Sequence, residues 1–287
     1  FPQGSRIGPF GFKLYTKPLT SIAKKHGIDI HLYADDTQLY TSFEPEDSEA
    51  ALERLESCIE EIRNWMEQNY LKLNDSKTEF IMFGTQVDLA KVSGWTVTVG
   101  NSEILPSKSP RNIGAFMDSG LTMETHINNI IRTTYAQLRF ISKIRKYMKI
   151  DAAKTNVNAL VLSKLDKLNS LLYEIPADKK LDRLQIALTN AARLITKQRR
   201  VENITPTLIT LHWLPIKYRI QYKILLLVFK CIVGKAPSYL ASLVPLYIPG
   251  RPGLRSASSK HRKEHLTQKK YGDRAFSNCG PTCGTAF

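Results

Sequence analysis

The sequence predicts an α+β fold: an antiparallel sheet with packing helices over residues 1–120, followed by an all-α region. Three observations carry this expectation. Ile28, Ile30, Leu32 and Ala34 alternate with Asp29, His31, Tyr33 and Asp35, and Leu39 to Phe43 continues as a second extended run beyond a tight bend. From Ser48 to Met66 apolar residues recur at helical spacing instead, as they do again from Glu124 onward. The chain opens with a period-2 region and closes with a period-3.6 one.

Taken in order, the glycine-containing segment Phe1 to Pro9 runs into a helix-like stretch from Phe12 to Leu19, and Ile28 to Phe43 reads as strand, turn, strand. Asp47 or Ser48 caps the next helix, whose apolar line passes through Leu52, Leu55, Ile59, Ile62 and Met66, leaving Glu53, Glu56, Glu60 and Glu61 on a solvated face. Leu71 to Gly84 places a polar, cation-bearing centre between two apolar strands. Trp95 to Val99, the Gly100-Asn101 turn and Glu103 to Leu105 form a hairpin, and Pro106 to Pro110 a connecting loop. The sheet region is expected to end near Asp118.

A helix then buries Ile127, Ile130, Ile131, Leu138, Ile141 and Ile144 and leaves Arg132, Arg139, Lys143, Arg145, Lys146 and Lys149 outside. Another runs through Leu181, Leu184, Leu188, Ala192 and Ile195 and ends in Lys197 to Arg200, where cations suit a helix C-terminus. Ile204 to Pro215 reads as a loop and Tyr218 to Val233 as a mostly buried helix. Residues 249–287, rich in Gly, Pro, Ser and Lys/Arg, are expected to be mostly disordered. The domain expectation is therefore 1–120, a helical 121–200, a helical 201–248 and that tail.

The chemistry is concentrated at Asp35 and Asp36. Adjacent carboxylates at a hairpin tip are hard oxygen donors of the kind Mg²⁺ takes, although such pairs also occur as plain solvated turns. Net charge sharpens the choice. Residues 1–100 carry ten Lys and Arg against fifteen Asp and Glu, and residues 101–287 carry thirty-one against eleven. An acidic, metal-suited half joined to a strongly basic half fits a nucleic-acid partner, and a merely basic surface is the plain alternative. No signal peptide or transmembrane segment is evident, since the apolar run Ile224 to Phe229 is far too short for a bilayer, so no membrane partner and an intracellular location, nuclear or cytoplasmic, are expected. Four scattered cysteines make no disulfide framework.

In this order, the segments resemble the reverse transcriptase of LINE-type (non-LTR) retrotransposons, from the palm's motif B onward. Pro2-Gln3-Gly4-Ser5 with Gly8-Pro9 looks like motif B, Tyr33-Ala34-Asp35-Asp36 like motif C, and Leu73 to Phe80 with Lys77-Thr78-Glu79 like motif D. Asn112-Ile113-Gly114, Asp118, Leu121 and His126 are similar to the primer grip and the start of the thumb. Leu211 to Pro215, Ala236 to Leu240 and Tyr271 to Phe276 resemble the carboxy-terminal segment of the same elements.

The resemblance implies RNA-directed DNA synthesis by two-metal nucleotidyl transfer, with Mg²⁺ as cofactor and Mn²⁺ as a substitute, and with RNA template, DNA primer and deoxynucleoside triphosphates as partners. It implies Asp35 and Asp36 as catalytic metal ligands and Gln3, Gly4, Ser5 and Tyr33 beside template and nucleotide. Lys77 would lie near the triphosphate, or else be a solvated lysine. Ile113 and Gly114 would form the primer grip, and Arg132, Arg139, Lys143 and Lys146 would hold nucleic-acid backbone. The family also uses an aspartate on a motif A strand and a set of fingers, neither found here, so the chain alone is expected to be inactive. Arg6 stands where the family has an aliphatic residue, and Gly11 weakens a helix start.

His261, His265, Cys279 and Cys283 could together bind zinc, against which the resemblance expects small residues and then a tryptophan at the cysteine positions. Two further readings remain open: a catalytically inert, basic nucleic-acid-binding fragment, and a transposon relic without function. A hairpin lacking its neighbouring strand is also expected to expose an edge and to lower solubility.

Overall fold

Pro9 and Pro18 each sit in the first turn of a helix, where a missing N–H costs nothing, and so the predicted 12–19 helix is divided into α1 (Gly8–Tyr15) and α2 (Pro18–Lys25). The computed structural model describes residues 5–92, 94–175, 179–245 and 270–285. Contacts divide them into one unit running to Pro110 and including Asp118–Gly120, and a second formed by Arg111–Met117 and the chain from Leu121. The fold is α+β, with small antiparallel hairpins and a predominantly helical second unit.

In the first unit β1 (Asp29–Tyr33) and β2 (Asp36–Tyr40) pair antiparallel, with Ile30 opposite Leu39 and Leu32 opposite Thr37. Ile30, Leu32 and Leu39 face a core made by Leu19 and Ala23 of α2, Ile28, and the helix α3 (Ser48–Gln68). The buried line of α3 passes through Ala51, Cys58, Ile62 and Met66 rather than through Leu52 and Ile59, which flank it. Cys58, Ile62 and Met66 share one core with Ile30, Leu32 and Leu39 of the hairpin. Burial and the neighbouring Glu61 push the Cys58 thiol pKa up to about 11, keeping it protonated.

The α3 acids are not a uniformly solvated face. Glu61 holds Lys25 Nζ at 2.9 Å and His26 Nε2 at 2.7 Å, while Glu56 accepts from the Thr98 backbone N–H at 2.7 Å. Nor does Leu71 to Gly84 form strands, apart from one parallel bridge between Phe80 and Pro106. Asp75–Lys77 is a single 3-10 turn: Arg63 binds Asp75 at 2.6 Å, and the Ser76 and Thr78 hydroxyls donate back to Asn74. These local bonds outcompete a ladder. Helix α4 (Gln86–Lys91) starts at Thr85, whose hydroxyl accepts the Asp88 N–H, and β3 (Val97–Val99) pairs with β4 (Ser102–Ile104). Their turn needs Gly100 twice over, for its φ of 60° and because a Cβ would lie 2.7 Å from the Arg63 guanidinium.

The second unit begins with the hairpin of β5 (Arg111–Asn112) and β6 (Ala115–Phe116), then α5 (Glu124–Ile144), α6 (Ile150–Val157), a π-helical turn at Asn158–Leu162 and α7 (Ser163–Asp166). Helices α8 (Lys179–Thr196), α9 (Thr205–Leu211), α10 (Ile216–Ile232), α11 (Ser238–Ser242), α12 (Lys270–Asp273) and α13 (Phe276–Thr285) follow. One core unites them, with Ile127, Ile141, Leu188, Ile195, Ile224, Val244 and Cys279 among its members. The segments 121–200 and 201–248 thus contribute to the same core.

Three expectations change here. Ile204 to Pro215 is not all loop, because Pro206 opens α9 and His212, at φ 56°, closes it. Helix α10 buries only Ile216, Ile220, Ile224 and Val228, and its other faces are open. Within the tail expected to be disordered, described residues 270–285 are helical: α13 packs against α10, where a Cβ on Gly280 would come 3.2 Å from Val228, and Cys279 and Cys283 are buried. Arg274 ties this end down by donating to the carbonyls of Leu121, Leu171 and Tyr173 at 2.7–3.2 Å. Among the described residues no helix is long and apolar enough to cross a membrane.

Arg145 departs most from its expected outward position. It is 6% exposed and donates to the carbonyls of Leu194 and Ile195 near the end of α8 and to that of Met148. These oxygens have no intrahelical or ladder partner to replace it. Arg145→Leu is expected to destabilise the protein by roughly 3 kcal/mol, read as a lowered urea midpoint, because it leaves buried carbonyls without donors.

Candidate active-site hairpin and nucleic-acid interface

A two-residue turn, Ala34-Asp35, joins β1 to β2, and Tyr33 pairs directly with Asp36. Ala34 adopts φ 54°, a left-handed conformation that costs a residue with a Cβ about 1 kcal/mol. Strain of this kind is held by its surroundings; here the Ile30, Leu32 and Leu39 packing fixes the register. Because side chains alternate, Tyr33 and Asp36 share the face opposite that core with Asp29, His31 and Tyr40.

Asp35 and Asp36 are both exposed, and neither carboxylate has a hydrogen-bond or ion-pair partner among the described residues. All their lone pairs are open. That donor set fits Mg²⁺ in part, since the ion takes one or two carboxylates and fills its shell with water and phosphate oxygens. Among the described residues no third His, Cys, Asp or Glu gathers with them into a metal-holding group.

The remaining motif residues of this unit are placed as follows. Ser5 is half-buried and its hydroxyl accepts the Gly8 N–H at 2.9 Å at the start of α1. Gly8 has no room for a side chain there, as a Cβ would lie 2.9 Å from the Ser5 oxygen. Gln3 and Gly4 fall outside the described residues. Lys77 is exposed on its 3-10 turn, and no hydrogen bond or ion pair among the described residues joins it to the carboxylate pair. What links these motifs is the shared core: α2, both strands, α3, Leu71 and Leu73 all pack into it.

In the second unit Ile113 (φ 46°) and Gly114 (φ 89°) form the turn of the β5–β6 hairpin. Two successive positive φ values suit such a turn, and the second, at 89°, is one that glycine adopts without strain. His126, 4% exposed, accepts the Phe116 N–H through Nδ1 at 3.4 Å and so ties β6 to α5. Burial, with a smaller contribution from Lys167, holds its pKa below the usual 6.5.

Arg132, Arg139 and Lys143 of α5 and Lys146 just beyond it are all exposed. Their spacing of seven, four and three residues places them along one helical stripe, which Ala136 continues. Arg132 touches Asn129 and Lys146 lies over the Tyr147 ring, but none of the four has an ion-pair partner among the described residues. An unpaired cationic stripe of this kind suits a phosphate backbone.

Sequence reasoning missed one surface, the open side of α10, where Tyr218, Tyr222 and Phe229 are more than half exposed. The signal was present in their spacing of four and seven residues, but the apolar run Ile224 to Phe229 masked it. The cysteine pair on α13 lies in apolar core, where burial pushes Cys279 up to about 12 and raises Cys283, while His261 and His265 lie outside the described residues.

A family model described as reverse transcriptase (RNA-dependent DNA polymerase) matches residues 1–157, from the segment before α1 to the end of α6. No curated protein and no solved structure matches the chain.

His126 provides a pH test of the hairpin's anchoring. Its folded pKa lies below the unfolded value of 6.5, so as pH falls below 6.5 the unfolded chain takes up the proton first and the folded state loses stability. The expected outcome is a urea midpoint that declines from pH 7 to pH 5, with a shallower decline in His126→Gln.

Proposed function

The chain belongs to the reverse transcriptase (RNA-dependent DNA polymerase) family, and on that premise we propose that it is the part of a LINE-type retrotransposon polymerase carrying two carboxylates of the two-metal nucleotidyl-transfer site. The supporting observation is the pair Asp35 and Asp36, exposed and without a partner among the described residues at a strained turn of fixed register. In this reading Asp35 and Asp36 hold Mg²⁺, or Mn²⁺ in its place. When bound, such ions polarise phosphate and clamp the attacking and leaving oxygens of the displacement.

The chain's own side chains orient the reactants. Tyr33, on the same face as Asp36, supports the template and nucleotide together with Gln3, Gly4 and Ser5. Lys77 offers a mobile ammonium to the triphosphate, and Ile113 and Gly114 present a rigid turn to the primer. Arg132, Arg139, Lys143 and Lys146 neutralise strand phosphates. Two carboxylates bind a pair of divalent ions weakly, and among the described residues no third acid joins them, so residues 1–287 alone are proposed to be inactive. A second reading, an inert basic fragment that binds nucleic acid, draws support from the α5 stripe, which requires no metal.

Primer extension on an RNA template with Mg²⁺ separates the two readings. The isolated chain is expected to bind template without extending it, whereas a longer polypeptide supplying a third carboxylate beside the hairpin is expected to extend the primer. In that polypeptide Asp35→Asn or Asp36→Asn should abolish extension while changing stability by less than about 0.5 kcal/mol, since both side chains are exposed and unpartnered. Persistent extension in Asp35→Asn would end the polymerase reading.

Replacing Arg132, Arg139, Lys143 and Lys146 with Gln should lower the slope of log affinity against log salt by about three for single strands. An unchanged slope would remove the α5 stripe from the interface.

A further inference from the structure

A cleft of about 270 Å³ lies beside α10 in the second unit, lined by Asp166, Asn169, His212, Arg219, Tyr222 and Lys223 among others. Asn169 is 4% exposed, yet its Oδ1 has no hydrogen-bond donor among the described residues. Native structures seldom leave such a carbonyl unmet without a reason. Arg219 is already committed, with Asp166 at 2.7 and 2.8 Å and the Leu214 carbonyl at 2.8 Å. Lys223 is exposed and has no ion-pair partner among the described residues, and the Tyr222 ring is 57% exposed beside it.

An aromatic face, an orphaned amide acceptor and a free ammonium in a cleft of this size match the base, base N–H and phosphate of one nucleotide. The pattern also extends along the helix. Tyr218, Tyr222 and Phe229 form an open row at spacings of four and seven, and the exposed Lys223 and Lys230 follow the last two by one residue. Residues at those spacings share a helix face, so an aromatic row runs beside a basic one.

We propose that α10 binds single-stranded nucleic acid, stacking unpaired bases on Tyr218, Tyr222 and Phe229 and seating one nucleotide in the cleft between Tyr222 and Asn169. A duplex keeps its bases stacked inward and offers them to no aromatic row. An acidic peptide would satisfy the lysines but makes no use of exposed rings. This site belongs to the second unit and uses none of the residues assigned to nucleotidyl transfer.

Fluorescence anisotropy of the 287-residue chain with labelled oligouridylate and oligodeoxythymidylate at fixed salt tests the proposal. Tyr222→Ala is expected to weaken binding to at least one of these strands about tenfold without changing the salt slope, and Tyr222→Phe to retain it. Lys223→Gln should weaken binding and reduce the slope by about 0.7, while Lys24→Gln, an equal charge loss on the first unit, should leave binding as it was. Binding is read without divalent metal or nucleotide, so failure of the polymerase reading would not register here. Wild-type affinity in Tyr222→Ala for both strands, or equal weakening by Lys24→Gln and Lys223→Gln, would overturn the proposal, as would binding of a duplex that Tyr222→Ala weakens to the same extent.

Discussion

The register between two five-residue strands constrains the candidate site of the first unit. Pairing Ile30 with Leu39 and Leu32 with Thr37 puts three apolar side chains on the α2–α3 core, and the same register places Tyr33 and Asp36 on the opposite face. A slip of one residue would exchange the two sets, burying a carboxylate and exposing the apolar side chains. The left-handed Ala34 follows from this constraint, since only a two-residue turn closes that register. Packing on one side of the sheet therefore fixes what chemistry is available on the other. The hairpin has no third strand among the described residues, and its open edges remain the local weakness of the first unit.

The second unit solves a different problem, that of ending many short helices inside one core. Each buried helix end leaves carbonyls without intrahelical donors. Arg145 meets those near the end of α8, and Arg274 meets carbonyls at three points of the chain. A guanidinium is suited to this because its donors are fixed in a planar fork and its charge is permanent. The basic residues of this unit thus fall into distinct physical classes. Some are structural donors, some pair with acids, as Lys180 and Arg183 do with Glu124 and Arg219 with Asp166, and those of the α5 stripe have no ion-pair partner among the described residues.

Much of the fold could be read from periodicity, but less of the detail. The hairpin at Asp35-Asp36, the helices around Ile62, Ile127 and Leu188, and the turn at Gly100 followed from spacing and turn chemistry. Arg145 did not, because a basic residue next to a helix end looks solvated until the carbonyls it serves are known. The 3-10 turn at Asp75–Lys77 was hidden because it depends on Arg63, twelve residues earlier in the chain. The order of the α13 end also escaped composition, which averages over the Gly and Ser of the segment and gives no weight to a close fit between Gly280 and Val228. The carboxylate pair was visible as residues, but its lack of a partner among the described residues is a property of the fold alone.

The two cationic surfaces of the second unit differ in a way that bears on what each can hold. The α5 stripe repeats charge at positions 132, 139, 143 and 146, none of them with an ion-pair partner among the described residues, and the exposed Phe140 and Tyr147 each follow one of those cations. Four unpaired charges on one face make phosphate the main source of what such a row can gain. Along α10 the exposed Tyr222 and Phe229 are followed by Lys223 and Lys230, beside a cleft with an unmet amide oxygen, and bases must be free before those rings contribute. A polymerase that copies RNA into DNA handles both forms, a duplex behind the growing end and an unpaired template ahead of it. Surfaces that differ in how much rings and charge contribute would respond unequally to pairing state without reading sequence.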